Sequence, residues 1–194
     1  KRQDSIHPGE LLLEESDETT HFSIVDEDGN AVSITTTLNG SYGSGVIVDG
    51  AGFLLNNEMD DFSIKPGYPN LYGLIGGEAN AIAPEKRMLS SMTPSIVEKN
   101  DSLYIVVGSP GGSAIITAVY QTLLNVIEFE MSIDRAVNSP RFHHQWKPDQ
   151  IKMEQSLSKN QMLIDGLKNY GHHLKYVNSM NRVDAILVKN DSLF

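Results

Sequence analysis

Residues 15–26 read Glu15-Ser16-Asp17-Glu18-Thr19-Thr20-His21-Phe22-Ser23-Ile24-Val25-Asp26. Apolar and polar residues alternate from Phe22 onward, which predicts a strand, and a pair of threonines opens it. A threonine hydroxyl has no low-pKa form near neutral pH, so it needs a base beside it. Cleavage just before the threonine frees an α-amine that can serve as that base. The pair is therefore a candidate cleavage site, although Thr-Thr is also common in strands.

The composition is that of an ordinary globular domain, with 194 residues of which 40% are hydrophobic and 21% charged. No apolar run approaches the roughly 18 to 20 residues that span a bilayer. The net charge is -10, and no cluster of lysine and arginine stands out, which argues against a nucleic-acid or anionic-membrane partner. The chain has no cysteine, which excludes disulfides, thiolate zinc sites and a cysteine nucleophile.

The predicted elements favour an α+β fold, with helices layered on a mainly antiparallel sheet. Alternation around Gly29 predicts a β-hairpin, and the run 103–107 predicts a buried strand. A helix is predicted over 113–129, with Ile116, Val119, Leu123 and Ile127 on its apolar face. The other predictions are an acidic surface tail over 1–18, short strands over 46–48, 53–55, 173–177 and 185–188, an irregular segment over 62–89, and helices over 132–137, capped by Ser132, and 158–170, ended by Gly171.

Three groups of residues could carry acyl-transfer chemistry. Thr37 on the return strand of the hairpin could lie beside Thr19, with Asn39 just after it, or Thr37 could simply be a β-branched strand residue. The acidic run 56–61 could hold a cation or a ligand's ammonium group, or could be a solvated loop. The glycine-rich turn 108–113, between a predicted strand and helix, could form an oxyanion hole, could bind phosphate, or could be only a tight turn. It lacks the Gly-Lys-Ser/Thr ending of a P-loop, which argues against phosphate.

Two further pairs are weaker candidates. Ser90 and Ser91 could grip a carboxylate with two adjacent hydroxyls, although adjacent serines in loops usually serve turn chemistry alone. His143 and His144 point to opposite sides of a predicted strand, so a metal ion held by both of them is not expected.

Taken together, these motifs resemble the small, catalytic subunit of the γ-glutamyltranspeptidases, also called glutathione hydrolases, of the N-terminal-nucleophile hydrolase superfamily. Its motifs follow in family order across most of residues 15–190. They are the segments 19–26, 28–33, 37–39, 54–63, 86–92, 108–112 and 138–146. The resemblance implies an αββα sandwich of which this chain supplies one share.

The resemblance also implies a mechanism. The precursor is expected to cut itself between Glu18 and Thr19, and Thr19 is then expected to attack the γ-glutamyl amide of glutathione or a similar donor. Water or an amino-acid or peptide acceptor would resolve the resulting ester, with no cofactor and no metal. The implied roles are the nucleophile Thr19, its partner Thr37, the oxyanion amides of Gly111 and Gly112, α-amino binding by Asn39, Glu58 and Asp61, α-carboxylate binding by Ser90 and Ser91, and a lid at Tyr72.

The same resemblance divides the chain into two parts. Residues 1–18 resemble the end of the large subunit, and residues 19–194 resemble a small subunit that lacks a final Asp-Pro-Arg segment. The large subunit is expected as partner, supplying an arginine for the substrate carboxylate, and the expected location is periplasmic or secreted. Glu58 is a departure, because some relatives have glutamine there.

Two other functions remain open. One is a related acylase with a different acyl group, such as a cephalosporin or glutaryl acylase. The other is an inactive homologue that acts as a binding module. Asn39, Glu58 and Asp61 favour an α-amino acid head group, because a glutaryl group has no ammonium for them to bind.

Overall fold

The fold is described from a computed structural model, which describes residues 19–189 and 192–194; the tail predicted over 1–18 lies outside them. The strands are β1 (Thr20–Val25), β2 (Ala31–Thr36), β3 (Ser95–Lys99), β4 (Ser102–Gly108), β5 (Phe142–His143), β6 (Ile151–Glu154), β7 (Leu174–Val177), β8 (Asp184–Lys189) and β9 (Ser192–Leu193). The α-helices are α1 (Ile115–Ile127), α2 (Ile133–Val137) and α3 (Gln161–Asn169).

The core lies between helix α1 and strands β4 and β8. Strands β3, β4, β8 and β9 form one sheet in the order β3-β4-β8-β9. Ile105 and Val107 of β4 are fully buried and pack in one cluster with Ile115 and Val119 of α1. Since side chains alternate across a strand, Ile105 and Val107 share the helix-facing side of β4. Helix α2 joins the same cluster through Ala136.

The β1–β2 hairpin covers the opposite side of this sheet. Its inward face is polar: Ser33 Oγ donates to the Val107 carbonyl at 3.1 Å, and the ring of His21 lies where a Cβ on Gly108 would be, only 2.1 Å away. Its outward face is apolar and exposed. The layers are therefore helix, sheet and hairpin, and within the described residues the hairpin's outer face is open to solvent.

A third sheet, in the order β5-β6-β7, carries the loop that follows β5. Strands β5 and β6 are antiparallel, whereas β6 and β7 are parallel. The parallel crossover runs through a 3₁₀ turn over residues 155–159 and helix α3. No helix within the described part of the chain combines the length and hydropathy that crossing a bilayer needs.

Several predicted elements are confirmed. The hairpin, strand β4 and helix α1 form as predicted, and Ser132 caps α2 by accepting the Arg135 amide at 3.4 Å. Strands β7 and β8 are also found, and Gly171 follows α3 with a positive φ of 87°. The prediction of an α+β fold is correct.

Four predictions are wrong in whole or in part. Residues 46–48 and 53–55 do not form strands, because only Ile47 and Leu54 pair, as an isolated bridge. Helix α3 begins at Gln161, where Asn160 provides the cap, and not at residue 158. The apolar face predicted for α1 is half wrong: Ile116 and Ile127 are 50% and 45% exposed, whereas Val119 is buried and Leu123 packs against the core.

Candidate active site

Thr19 lies at the opening of β1, and its hydroxyl donates to the Thr37 hydroxyl at 3.3 Å. The hairpin register explains the contact. Thr20 pairs with Thr36 in this antiparallel hairpin. Thr19, one residue before Thr20, therefore lies opposite Thr37, one residue after Thr36. Thr19 is only 6% exposed. The predicted proximity of the two threonines is thus confirmed, and the candidate nucleophile is buried beside a second hydroxyl.

Asn39 connects the threonine pair to the acidic segment. The Asn39 backbone amide donates to Thr37 Oγ1 at 3.0 Å, and its side-chain Nδ2 donates to the Asn57 backbone carbonyl at 3.3 Å. Asn39 is 3% exposed and has a positive φ of 74°, a conformation that asparagine tolerates better than most residues. This turn therefore fixes the Thr37 hydroxyl and the start of the 3₁₀ turn Glu58–Asp61 in one unit.

The glycine-rich turn presents its backbone at the start of the helical segment. Gly111 and Gly112 have φ values of 120° and 59°, and a short 3₁₀ turn over 112–114 leads into α1. Backbone N–H groups at such a start are unpaired and favour negative charge. The predicted strand-turn-helix context is confirmed, which is the geometry that an oxyanion hole uses.

Tyr72 lies between Asn39 and the glycine turn. Its hydroxyl donates to the Asn39 carbonyl at 2.8 Å, and a Cβ on Gly112 would lie 3.1 Å from its ring. The segment that carries it is tied down separately, because Asp60 Oδ2 accepts the Leu71 amide at 2.8 Å. Tyr72 therefore packs against the glycine turn on the side of Gly112, and its role as a lid stays a prediction.

The acidic segment holds carboxylates that repel one another. Burial raises the pKa of Asp61 to about 6, with further contributions from the charges of Glu58 and Asp60. Burial also raises the pKa of Glu58. Since a nearby cation would favour the charged forms of these groups, the segment is suited to an ammonium ligand.

Asp61 and Ser91 line the same cavity, which has a volume of about 340 Å³. Ser90 is exposed and lies outside its lining, and its Oγ accepts the Met92 amide at 3.2 Å. The cavity wall does not include Thr19 or the two glycines. The structure thus brings one of the two serines to the cavity that Asp61 lines. The threonine pair is linked to the acidic segment through Asn39, which bonds Thr37 Oγ1 and the Asn57 carbonyl.

Asn181 is a residue of this site that the sequence did not reveal. Its Nδ2 donates to the Pro110 carbonyl at 2.7 Å, to the Gly111 carbonyl at 3.2 Å and to Ser109 Oγ at 3.4 Å. Its own carbonyl accepts Arg141 Nη1 at 3.3 Å. Asn181 therefore holds the glycine turn in place from a loop 70 positions further along the chain. No motif in the sequence around Asn181 indicates this contact.

A buried hydroxyl at a strand opening, a second hydroxyl beside it and a glycine turn at a helix start together define an N-terminal-nucleophile hydrolase fold. A family model described as Gamma-glutamyltranspeptidase matches residues 3–194. The chain therefore belongs to the γ-glutamyltranspeptidase family.

Curated relatives agree with this assignment. The chain is 48% identical over 191 residues to the glutathione hydrolase proenzyme of Escherichia coli (strain K12), covering 98% of this chain and 33% of that protein. It is 51% identical over 189 residues to the glutathione hydrolase proenzyme of Pseudomonas sp. (strain A14), covering 97% and 32%. The chain thus spans about a third of the length of these relatives.

Solved structures show the same fold. A γ-glutamyltranspeptidase mutant from Helicobacter pylori is 54% identical, with a TM-score of 0.83 over 90% of this chain and 95% of that chain. The γ-glutamyltranspeptidase of Pseudomonas nitroreducens complexed with L-DON is 50% identical, with a TM-score of 0.82 over 90% and 92%. A cephalosporin acylase from Bacillus halodurans is 26% identical, with a TM-score of 0.73 over 87% and 30%.

Proposed function

We propose that the full protein is a γ-glutamyl hydrolase and transferase that cleaves the γ-glutamyl amide of glutathione and related compounds. The observation that carries the proposal is the buried Thr19 hydroxyl, 3.3 Å from Thr37 at the opening of β1. Identities of 48% and 51% to glutathione hydrolase proenzymes support this substrate class. The cephalosporin acylase, at 26% identity, gives less support to the alternative acyl group.

The first step is self-cleavage between Glu18 and Thr19. The Thr19 hydroxyl attacks the Glu18 carbonyl, and the acyl group moves from nitrogen to oxygen, which frees the Thr19 α-amine and leaves an ester on the hydroxyl. Water then hydrolyses that ester, which releases the Glu18 carboxylate and restores the Thr19 hydroxyl. The proenzyme names of the relatives support this step. In the acivicin-inhibited γ-glutamyltranspeptidase, which is 54% identical to this chain, the C-terminus has critical roles in autoprocessing and catalysis.

The second step is acyl transfer. The freed α-amine accepts the Thr19 hydroxyl proton while the oxygen attacks the γ-amide carbonyl, and the amides of Gly111 and Gly112 stabilise the oxyanion. The amine then returns the proton to the leaving nitrogen, and a γ-glutamyl ester remains on Thr19. Water or an amine acceptor attacks that ester and regenerates the hydroxyl. Thr37, itself held by the Asn39 amide at 3.0 Å, fixes the hydroxyl during both steps.

The glutamate head group is held by the acidic segment and the serine pair. Asn39, Glu58 and Asp61 bind the α-amino group, and Ser90 and Ser91 bind the α-carboxylate. The raised pKa of Asp61 supports this assignment, because an ammonium would offset the burial and repulsion that cause it. The cavity that Asp61 shares with Ser91 supports it as well.

Asp61→Asn is expected to reduce kcat/KM for a chromogenic γ-glutamyl anilide by about 10- to 100-fold, since a charge-assisted hydrogen bond contributes about 1.5–3 kcal/mol. The effect should fall mainly on KM. In the unaltered protein KM should rise as the pH falls through about 6, because protonation removes the charge that binds the ammonium. That rise should be absent in Asp61→Asn.

The matched substrate is a glutaryl anilide, which lacks only the α-amino group. We expect the full-length protein to prefer the γ-glutamyl compound, and Asp61→Asn to narrow that preference. Equal or better turnover of the glutaryl compound would favour the acylase alternative. Binding of glutamate without turnover of either anilide would favour the inactive binding module.

The proposed partner is the remainder of the proenzyme, as a large subunit. Phe22, Ile24, Val32 and Ile34 lie on the outer face of the hairpin and are 40% to 52% exposed. A contiguous apolar face of this kind marks an interaction surface, and the chain spans about a third of its relatives' length. A layer supplied by the remainder would cover this face and complete the αββα sandwich. A periplasmic or secreted location is also proposed, on the family resemblance alone.

We further expect Asn181→Ala to lower kcat by about tenfold or more with little change in KM. The variant removes the donor that holds the Pro110 and Gly111 carbonyls, so the oxyanion amides lose their fixed orientation. Asn160→Ala is the matched control, because Asn160 caps α3 far along the chain from this turn. It should reduce stability by about 1 kcal/mol and leave kcat unchanged. Equal kcat values in the two variants would show that Asn181 does not orient the oxyanion amides.

A further inference from the structure

A second cluster of polar side chains lies on the third sheet, apart from the threonine site. His144 follows β5, Asp149 follows Pro148 in the same loop, and His172 follows α3. One nitrogen or oxygen atom from each lies within 4.8 Å of the other two. His144 Nε2 and Asp149 Oδ1 are 3.1 Å apart. The rings of His144 and His172 meet edge to face, with their centroids 5.9 Å apart.

We propose that His144, Asp149 and His172 form a surface site for a divalent transition-metal ion, with Zn²⁺ as the best fit. Two imidazole nitrogens and one carboxylate oxygen are a ligand set that suits zinc, nickel and copper better than magnesium or calcium. A zinc ion with three protein ligands keeps its fourth position for water.

The distances are compatible with such a site. Tetrahedral zinc at about 2.0–2.2 Å from each ligand holds those ligands roughly 3.3–3.5 Å apart. The His144–Asp149 separation of 3.1 Å is already close to that value. The remaining gaps are at most 4.8 Å, so they need to close by no more than about 1.5 Å. The side chains can make this movement, because those of His144 and Asp149 are 31% and 76% exposed and His172 is partly exposed.

Binding has a small local cost. His144 Nδ1 accepts the Trp146 amide at 3.3 Å, so its neutral form carries a proton on Nε2. A metal ion on Nε2 moves that proton to Nδ1 and breaks the long bond to Trp146. Because Trp146 is 69% exposed, water can satisfy its amide instead.

The position of His172 distinguishes this cluster from a simple ion pair. A His144–Asp149 pair needs no third group, yet His172 comes from the far end of α3, where Gly171 reverses the chain with a φ of 87°. His143 is excluded, since it is buried and its Nδ1 lies 2.9 Å from Thr117 Oγ1. The sequence argument against a metal shared by His143 and His144 therefore holds, and the second histidine comes from another segment.

A bound ion would brace a loop that contacts the active site. Between His144 and Asp149 the loop carries Gln145, which accepts the Ser113 hydroxyl at 2.7 Å just after the glycine turn. It also carries Pro148, which lies 4.0 Å from the position of a Cβ on Gly73, next to Tyr72. Metal binding would join this loop to the end of α3.

The test is calorimetric titration of the full-length, untagged and chelator-treated protein with Zn²⁺, with Mg²⁺ as the comparison ion. We expect one Zn²⁺ site per chain, an upward shift in Tm with Zn²⁺, and no binding of Mg²⁺. His144→Ala, His172→Ala and the isosteric Asp149→Asn should each weaken the site by tenfold or more. His173→Ala, an exposed histidine next to the cluster, should bind as the unaltered protein does.

Activity measured with chelator present shows whether each variant is folded, since none of these residues belongs to the proposed catalytic machinery. Zinc affinity that is unchanged in His144→Ala and His172→Ala would overturn the proposal. An equal loss in His173→Ala would also overturn it, because the ion would then be held by the exposed histidines in general. Absence of any Zn²⁺ binding to the unaltered, active protein would have the same consequence.

Discussion

Full-length protein that carries Thr19→Ala is expected to remain a single uncut chain and to lose γ-glutamyl transfer by about four orders of magnitude or more. In the proposed mechanism the same hydroxyl serves both steps, cleavage at Glu18 and attack on the substrate. Its removal would therefore block transfer in two ways, by preventing cleavage and by removing the nucleophile. Loss of a covalent nucleophile has effects of this size in other hydrolases. Intact-mass measurement reports the cleavage, and a γ-glutamyl anilide reports the transfer.

The matched control is Thr20→Ala. Thr20 is exposed and lies on the opposite side of the strand, so this variant should be cut to give a fragment that begins at Thr19 and should retain most activity. Thr19→Ser keeps a hydroxyl and should still be cut, although more slowly. A fragment starting at residue 19 in Thr19→Ala would disprove self-cleavage by this residue, even if the enzyme activity stayed as proposed.

Pairs that depend on local pairing rules could be predicted from the sequence. The register of a short hairpin follows from the alternation of its apolar and polar residues and from its turn. The proximity of Thr19 and Thr37 could therefore be expected from the sequence alone. The strand-turn-helix context of Gly111 could be read in the same way. Both features involve residues that are neighbours along the chain or across one turn.

The face of α1 could be predicted only in part, because two overlapping sets of its residues have helical spacing. The set Ile116, Val119, Leu123 and Ile127 has helical spacing, but so does the set that is buried: Ile115, Ala118, Val119, Thr122 and Val126. Periodicity identifies a helix, but it does not choose between two overlapping sets of residues that both have helical spacing. The choice is made by contact with Ile105 and Val107 of β4.

The hairpin does not follow the usual rule that apolar side chains face inward and polar side chains face solvent. As in α1, contacts with other elements decide which face turns inward. Its polar face, with His21 and Ser33, turns inward onto β4, and its apolar face turns outward. His21 bridges Thr35 Oγ1 at 2.8 Å and Ser23 Oγ at 3.0 Å, so the buried polar groups satisfy one another. The outward face agrees with the proposed sandwich, in which a further layer covers it.

Gly111→Ala is expected to lower kcat by about 10²- to 10³-fold, the usual effect of losing one oxyanion donor. Gly111 has a φ of 120°, which side chains rarely adopt, and a Cβ there would lie 2.2 Å from Asn181 Nδ2. The turn must therefore rearrange, and the amides of Gly111 and Gly112 move with it. KM should change little, because the residues proposed to bind the α-amino and α-carboxylate groups lie outside this turn.

Gly112→Ala should be milder. Its φ of 59° is within the left-handed region that other residues visit at a modest cost, and its Cβ would meet only the edge of the Tyr72 ring at 3.1 Å. Gly166→Ala is the control for glycine replacement as such, since it lies within α3 with nothing within 4 Å. It should stabilise the protein by about 0.5–1 kcal/mol and leave kcat unchanged.

Steady-state kinetics, intact mass and thermal unfolding of the three glycine variants separate the possible outcomes. In the proposed mechanism self-cleavage also passes through a tetrahedral oxyanion, so Gly111→Ala can lower the fraction of cut chains as well as kcat. Intact mass gives that fraction, and kcat is therefore compared per cut chain. A kcat per cut chain within a few-fold of the unaltered protein would show that the 111–112 amides do not bind the oxyanion. A fall in kcat together with a native Tm would locate the defect in the turn, because the core strand β4 and helix α1 on either side of it would then be intact.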